Sequence, residues 1–485
     1  MARDVWQEEE KGESDGVSRV ERREVAASLR KRLVERLFSS RLAGRFLDGF
    51  FWLTLASLAA RIGTLISLVC VANILGAVVY GEFCLIRTTV NGFVVLASFG
   101  MGRTAIKYVA ELTATDKTRV GRVIALNYVF ALISSALVAA FFCWATPRLY
   151  AGIPDAARLI PEARLSSILL VLSAFVSVQA GVMSGFKAFR GLAISAAASG
   201  LGSIPFFLLG ARWGGLSGAI VGFATGAFLN CLINSCFIYF QLKKHGIRYR
   251  FDEFWQERSV LWNFCLPQTL TSVTTGMLGT ITTIWLAEQN NGITEVAIFE
   301  TARQIQTSIL FLPNIATQTL LPTLTEFYAL KNKEMYLKTL KCNACVNLAL
   351  AASIAVAVAV AAPWIMRALG EGFETGVATL IVLLGVGVIL SVGNVCASAL
   401  TSLGAIWSGF FLNAIYGGVF LTVAWQTLNR GGGAVGLASA SLAAQLFYLV
   451  LCVGVIKRAL AAKNDGERKG DGAETESRRS EREVE

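Results

Sequence analysis

Three arginines and one glutamate stand inside otherwise apolar stretches, and they are the residues best able to do chemistry in this chain. Arg61 lies near the middle of its stretch, Arg87 toward the outer end of the next, and Arg303 one helical turn after Glu300. A charge at the centre of a membrane helix costs at least about 2.5–3.5 kcal/mol, so such residues face a cavity or a partner. Arg61 is roughly 16 Å from either end of its stretch at the helical rise, beyond full snorkelling reach. A guanidinium keeps its charge when buried and holds an oxyanion through two parallel hydrogen bonds. The three arginines therefore suit a cationic cavity for a phosphate-bearing ligand, with Glu300 as charge partner of Arg303. Pro205, Pro267 and Pro313 lie inside the fifth, seventh and eighth apolar segments, the last of these shared with Arg303. Each removes a backbone donor, which makes them candidate hinges.

Other chemistries find little support. All ten cysteines fall in or beside apolar stretches, and their spacing frames no disulfides. Cys342 and Cys345 form a lone CxxC that cannot complete a four-ligand zinc site, and the single histidine, His245, sits in a distant basic loop. There is no Walker loop, HExxH or dinucleotide fingerprint. Neither a metal, a cofactor nor an enzymatic activity is expected.

The elements that position these residues are membrane helices. Of 485 residues, 54% are hydrophobic and only 16% charged, and the mean hydropathy is +0.58. Soluble domains carry about 25% charged residues. Apolar segments fall near 50–75, 84–102, 121–146, 165–186, 191–211, 215–241, 260–287, 294–317, 342–366, 376–402, 405–427 and 433–457. Each is long enough, or nearly so, to cross the ~30 Å hydrocarbon core as a helix, and none alternates with the period of a strand. The narrowest division is Arg212 to Gly214, between the fifth and sixth segments. Connections on one side carry more than twice the Lys and Arg of those on the other, which places both termini in the cytoplasm. Topology thus accounts for most of the +11 net charge, and nucleic acid is not an expected partner. The first 45 residues hold no apolar run of signal-peptide length. Val25, Leu29, Leu33 and Leu37 recur among basic residues there, as in a helix lying on an anionic membrane surface. Phe251, Phe254 and Trp255 form an interfacial aromatic anchor in a basic loop.

The chain also repeats. Segments one to six and seven to twelve coincide at an offset near 218 residues, with Gly215 and Gly218 matching Gly433 and Gly436. Six crossings per half give parallel repeats with a binding site between them. The offset carries Arg87 to within two residues of Arg303, so each half offers an arginine from its second helix. The fold class is all-α and polytopic, with twelve helices in two pseudo-symmetric six-helix lobes. The expected divisions are a cytoplasmic tail (1–45), a first lobe (46–241), an inter-lobe loop (242–259), a second lobe (260–458) and a disordered charged tail (459–485).

The run from Ile74 to Phe83, then Phe99 to Gly102 and Ala105 to Glu111, resembles the start of polysaccharide-biosynthesis flippases of the multidrug/oligosaccharidyl-lipid/polysaccharide exporter superfamily. The second half is similar in Pro267, in Ala297 to Arg303 and in Leu321-Pro322 before a basic loop. The resemblance covers roughly residues 46–458 and implies a MATE-like fold. It further implies O-antigen- or capsule-type transfer of an undecaprenyl-pyrophosphate-linked oligosaccharide from the cytoplasmic to the periplasmic leaflet of a bacterial inner membrane. Membrane lipids and a polysaccharide polymerase with its assembly proteins are the implied partners. Two rivals stand within the superfamily. Lipid II flippases usually carry two further helices, and multidrug antiporters rely on membrane carboxylates, of which the expected segments one to six hold none.

Overall fold

The structure, a computed structural model, describes residues 41–113, 116–248, 254–257, 265–318, 320–329, 333–403 and 406–482. The expected surface helix around Val25 to Leu37 and the aromatic Phe251 lie outside them. Two compact units are distinguished, Met1–Leu55 and Ala56–Glu485, and the helix packing and the candidate site belong to the second.

Helix follows helix, with no strand among the described residues. A long apolar run in lipid must satisfy its own backbone, which a helix does within a single segment. The first half comprises α1 (Arg41–Ser98), α2 (Met101–Leu112), α3 (Lys117–Leu149), α4 (Ala156–Leu165), α5 (Ile168–Gly185) and α6 (Phe189–His245). The second comprises α7 (Leu266–Ala287), α8 (Gly292–Ile309), α9 (Phe311–Gln318), α10 (Leu320–Ala329), α11 (Lys333–Ala368), α12 (Val377–Ser402), α13 (Ile406–Asn429) and α14 (Gly433–Arg482). Eight helical stretches among the described residues are long and apolar enough to cross a membrane. The all-α polytopic class therefore holds, and the described residues of every expected apolar segment are mostly helical. The helix of α14 continues to Arg482, through most of the charged tail.

Two of the long helices are folded at glycines. Gly76 (φ 74°, ψ 165°) breaks α1, and Gly215 (φ 55°, ψ −130°) breaks α6 beside the expected division at 212–214. Side chains other than glycine rarely adopt such backbone angles. The two arms of α6 then pack almost backbone to backbone. A Cβ on Gly218 would stand 2.8 Å from the carbonyl carbon of Gly210, and one on Gly222 would stand 2.9 Å from that of Phe206. Small residues at membrane-helix contacts permit this approach.

Each half packs largely on itself. In the first, α2, α3 and α5 pack together and α6 lies against α5. In the second, α12 is the hub for α8, α11 and α14, while α13 rests on α14 and α7. The halves meet along the second arm of α1. Gly81 lies so close to the Ile293 carbonyl at the start of α8 that no side chain fits between them. Thr280 of α7 donates its hydroxyl to the Thr88 carbonyl at 3.1 Å, and Gly276 faces Val95. At the end of this seam that holds the Gly76 break, Asn73 Nδ2 donates to the Ala368 carbonyl at 2.6 Å and the Tyr80 ring meets Phe373 at 6.1 Å. Near the opposite end, Arg119 of α3 holds Glu257 with two hydrogen bonds of 2.9 and 2.8 Å.

Candidate functional site

Glu300 is the centre of the charged group. It sits on α8 with 1% of its surface exposed, and its Oε2 accepts from Arg303 Nη2 at 2.6 Å and Nε at 3.2 Å. Its Oε1 lies 3.4 Å from the Thr283 hydroxyl of α7. One turn of helix separates the two residues, the spacing at which side chains on a helix meet. A buried carboxylate left alone costs several kcal/mol, so this pair holds the site together as well as charging it.

Arg87 approaches from the other half. It stands half-buried on the second arm of α1, its guanidinium carbon 5.8 Å from the Phe83 ring centroid. The close meeting of α1 and α8 at Gly81 and Ile293 sets the helix of Arg87 against the helix of Glu300 and Arg303. Arg61 lies on the helical backbone of α1, but its side chain is outside the described residues.

The prolines are placed differently from one another. Pro205 lies within the first arm of α6. Pro267 stands in the first turn of α7, where its missing N–H breaks no intrahelical bond. Pro313 lies in the first turn of α9, just past the interruption at Leu310, and its missing donor would have served Ile309. Cys342 and Cys345 are exposed on α11. His245 stacks on Phe186 at 5.2 Å, at the end of α6.

A second buried carboxylate escaped the sequence reading. The second arm of α1 begins directly after Gly76, seven residues before the expected 84, and so takes Glu82 into the helix. Glu82 is 7% exposed, and its Oε2 has no hydrogen bond. Arg158 Nη2 of α4 is 3.8 Å away, and the charges of Glu162 and Asp155 also act on Glu82. Reading Glu82 as a loop residue was an error of boundary. The apolar Ala77 to Tyr80 and the glycine before them were the signal.

Two chambers flank the charged group. Glu300 and Arg303 line one of about 450 Å³ inside the second half. Asn91, one turn beyond Arg87, lines another of about 550 Å³ inside the first, with Ser173, Ser177, Ser203 and Asn230.

This architecture is the fold of the MOP-superfamily transporters. A multidrug resistance MATE family transporter of that superfamily, in an inward-facing conformation, superposes with a TM-score of 0.64 at 15% identity, covering 84% of this chain and 96% of the other. The lipid II flippase MurJ, in an inward closed conformation, gives a TM-score of 0.67 at 13% identity over 84% and 87%. A MOP superfamily transporter from Pyrococcus furiosus, described by the reverse polarity of its binding pocket, gives 0.60 at 14% over 85% and 96%. No curated protein matches the sequence. The profile of the polysaccharide biosynthesis protein family matches residues 46–328, more than half of the chain, and the protein belongs to that family.

Proposed function

We propose that the protein is a flippase that moves an undecaprenyl-pyrophosphate-linked oligosaccharide from the cytoplasmic to the periplasmic leaflet of a bacterial inner membrane. Its two halves are pseudo-symmetric lobes that alternate access around the charged group. The observation that carries this reading is that Arg87 stands on the first half's α1 and the hydrogen-bonded Arg303–Glu300 pair on the second half's α8, two helices that meet main chain to main chain at Gly81 and Ile293. A pyrophosphate is common to every such substrate, and a permanent, doubly hydrogen-bonding cation suits it. Arg61 is assigned to the same cavity, and Pro313, just past the interruption between α8 and α9, serves as a hinge. Both termini and the loop of His245 are cytoplasmic, and a polymerase receives the translocated unit.

Complementation of a flippase-deficient strain, scored by surface polysaccharide at matched protein abundance, tests the reading. Loss of a charged hydrogen bond weakens binding roughly 10- to 150-fold. Arg87→Ala and Arg61→Ala are expected to abolish most surface polymer, and Arg303→Lys to retain part of it. Full complementation by all three overturns the phosphate assignment.

Glu82 favours a second reading, a multidrug antiporter, because it supplies the first half with a buried carboxylate. Arg158 already faces that carboxylate, however. Efflux of a fluorescent organic cation from proteoliposomes separates the two readings, since the flippase reading expects none.

A further inference from the structure

The chamber bordered by Glu300 and Arg303 is built for more than a phosphate. It is lined by α7, α8, α12, α13 and α14, and four primary amides reach it: Gln306, Asn394, Asn413 and Gln445. Two tyrosines, Tyr416 and Tyr448, line it as well and meet edge to face at 5.9 Å. Asn394 gives its amide to Asn314 Oδ1 at 3.0 Å, and Asn413 gives its own to the Gly409 carbonyl at 2.9 Å. Gln445 is different. It is 4% exposed, and its buried Nε2 has no hydrogen-bond partner. Gly393 makes room for it, since a Cβ there would stand 2.9 Å from that nitrogen. An amide buried without a partner is costly, and its retention beside a chamber marks a donor kept for a ligand.

We propose that this chamber binds a neutral sugar ring of the lipid-linked substrate, next to the pyrophosphate held by the arginines. The inference rests on the flippase reading and extends it to the glycan. A pyranose offers neighbouring hydroxyls that donate and accept, and carboxamides do both as well. The apolar C–H face of such a ring packs on tyrosine, which also keeps a polar tip for hydrogen bonding. The volume of about 450 Å³ falls in the range of small-molecule pockets, ~300–1,000 Å³. The two charges lining the chamber already pair with each other, so a neutral ligand enters without stranding either.

The test uses the full-length protein in lipid nanodiscs. Saturation-transfer NMR is recorded with millimolar glucose, galactose or N-acetylglucosamine, and calorimetry with inorganic pyrophosphate runs in parallel. At least one sugar is expected to bind. Gln445→Leu and the near-isosteric Gln445→Glu should each weaken it roughly 2- to 12-fold, the value of one neutral hydrogen bond. Pyrophosphate affinity should be unchanged in Gln445→Leu, and thermal melting verifies that each variant is folded. No binding of any of the three sugars overturns the inference, as does unaltered sugar affinity in both folded variants. If pyrophosphate still binds while sugars do not, the chamber assignment fails alone. If sugars bind but pyrophosphate does not, the phosphate reading fails and the chamber stands as a saccharide site.

Discussion

Placing a side chain at Gly81 is expected to pry the two halves apart. A Cβ at that position would stand 2.9 Å from the Ile293 carbonyl carbon, and closer still to its oxygen. Carbon atoms in favourable contact settle at about 3.5–4.0 Å, so α1 and α8 must separate by at least roughly 0.6–1.1 Å. Both atoms met belong to the main chain, so no rotamer change relieves the overlap. Overpacking of this kind costs about 1–3 kcal/mol. Expressed as a bias between two arrangements of the halves, that is roughly 5- to 150-fold. The readout is the spacing across the end of the seam near Gly76, where Asn73 and Ala368 are joined. Spin labels on Ile74→Cys and Glu371→Cys report it, in a background where the exposed thiols Cys236, Cys342 and Cys345 are replaced. Gly81→Ala should shift the distance distribution outward, and Gly81→Val further. Distributions identical to that of the unsubstituted protein, in variants that still fold, refute a tight seam at Gly81.

Three further outcomes are expected. Arg303→Ala should lower the melting temperature in detergent by stranding the buried Glu300, and Glu300→Gln/Arg303→Gln should restore much of it; equal melting of the single and double variants contradicts the pairing. In α6, Gly218→Val should destabilise the protein by about 1–3 kcal/mol, whereas Gly214→Ala, with open space around it, should melt like the parent. Glu257→Gln should loosen the inter-lobe loop from Arg119, seen as faster tryptic cleavage between residues 248 and 258 at unchanged global stability.

The helices were largely legible because lipid leaves the backbone few choices, and apolar length alone finds them. The fold at Gly76 lay one residue from the expected end of the first segment, and that at Gly215 one residue past the expected gap, since glycine relieves the angles both turns require. Charge misled where it was taken as a boundary. Glu82 marked a loop in the sequence, yet a nearby arginine on α4 lets it stay inside the helix. The amphipathic α2 and the short α4 were missed because neither is apolar enough to register as a crossing. That Arg87 and Arg303 stand on helices facing each other across the seam could be anticipated from the 218-residue offset, which compares helices by rank. The amide-lined chamber could not. Gln306, Asn394, Asn413 and Gln445 come from four helices, and only the rotation of each about its axis decides that they converge.

The main-chain contact inside α6 locks its two arms together. With Gly210 against Gly218 and Phe206 against Gly222, little side-chain cushion lies between the arms to slide, repack or swell. Shearing one arm past the other would drive carbonyls over carbonyls, so the pair behaves as a splint that transmits displacement without absorbing it. A displacement of one arm is thereby passed to the other, and bending is left to the joints between helices.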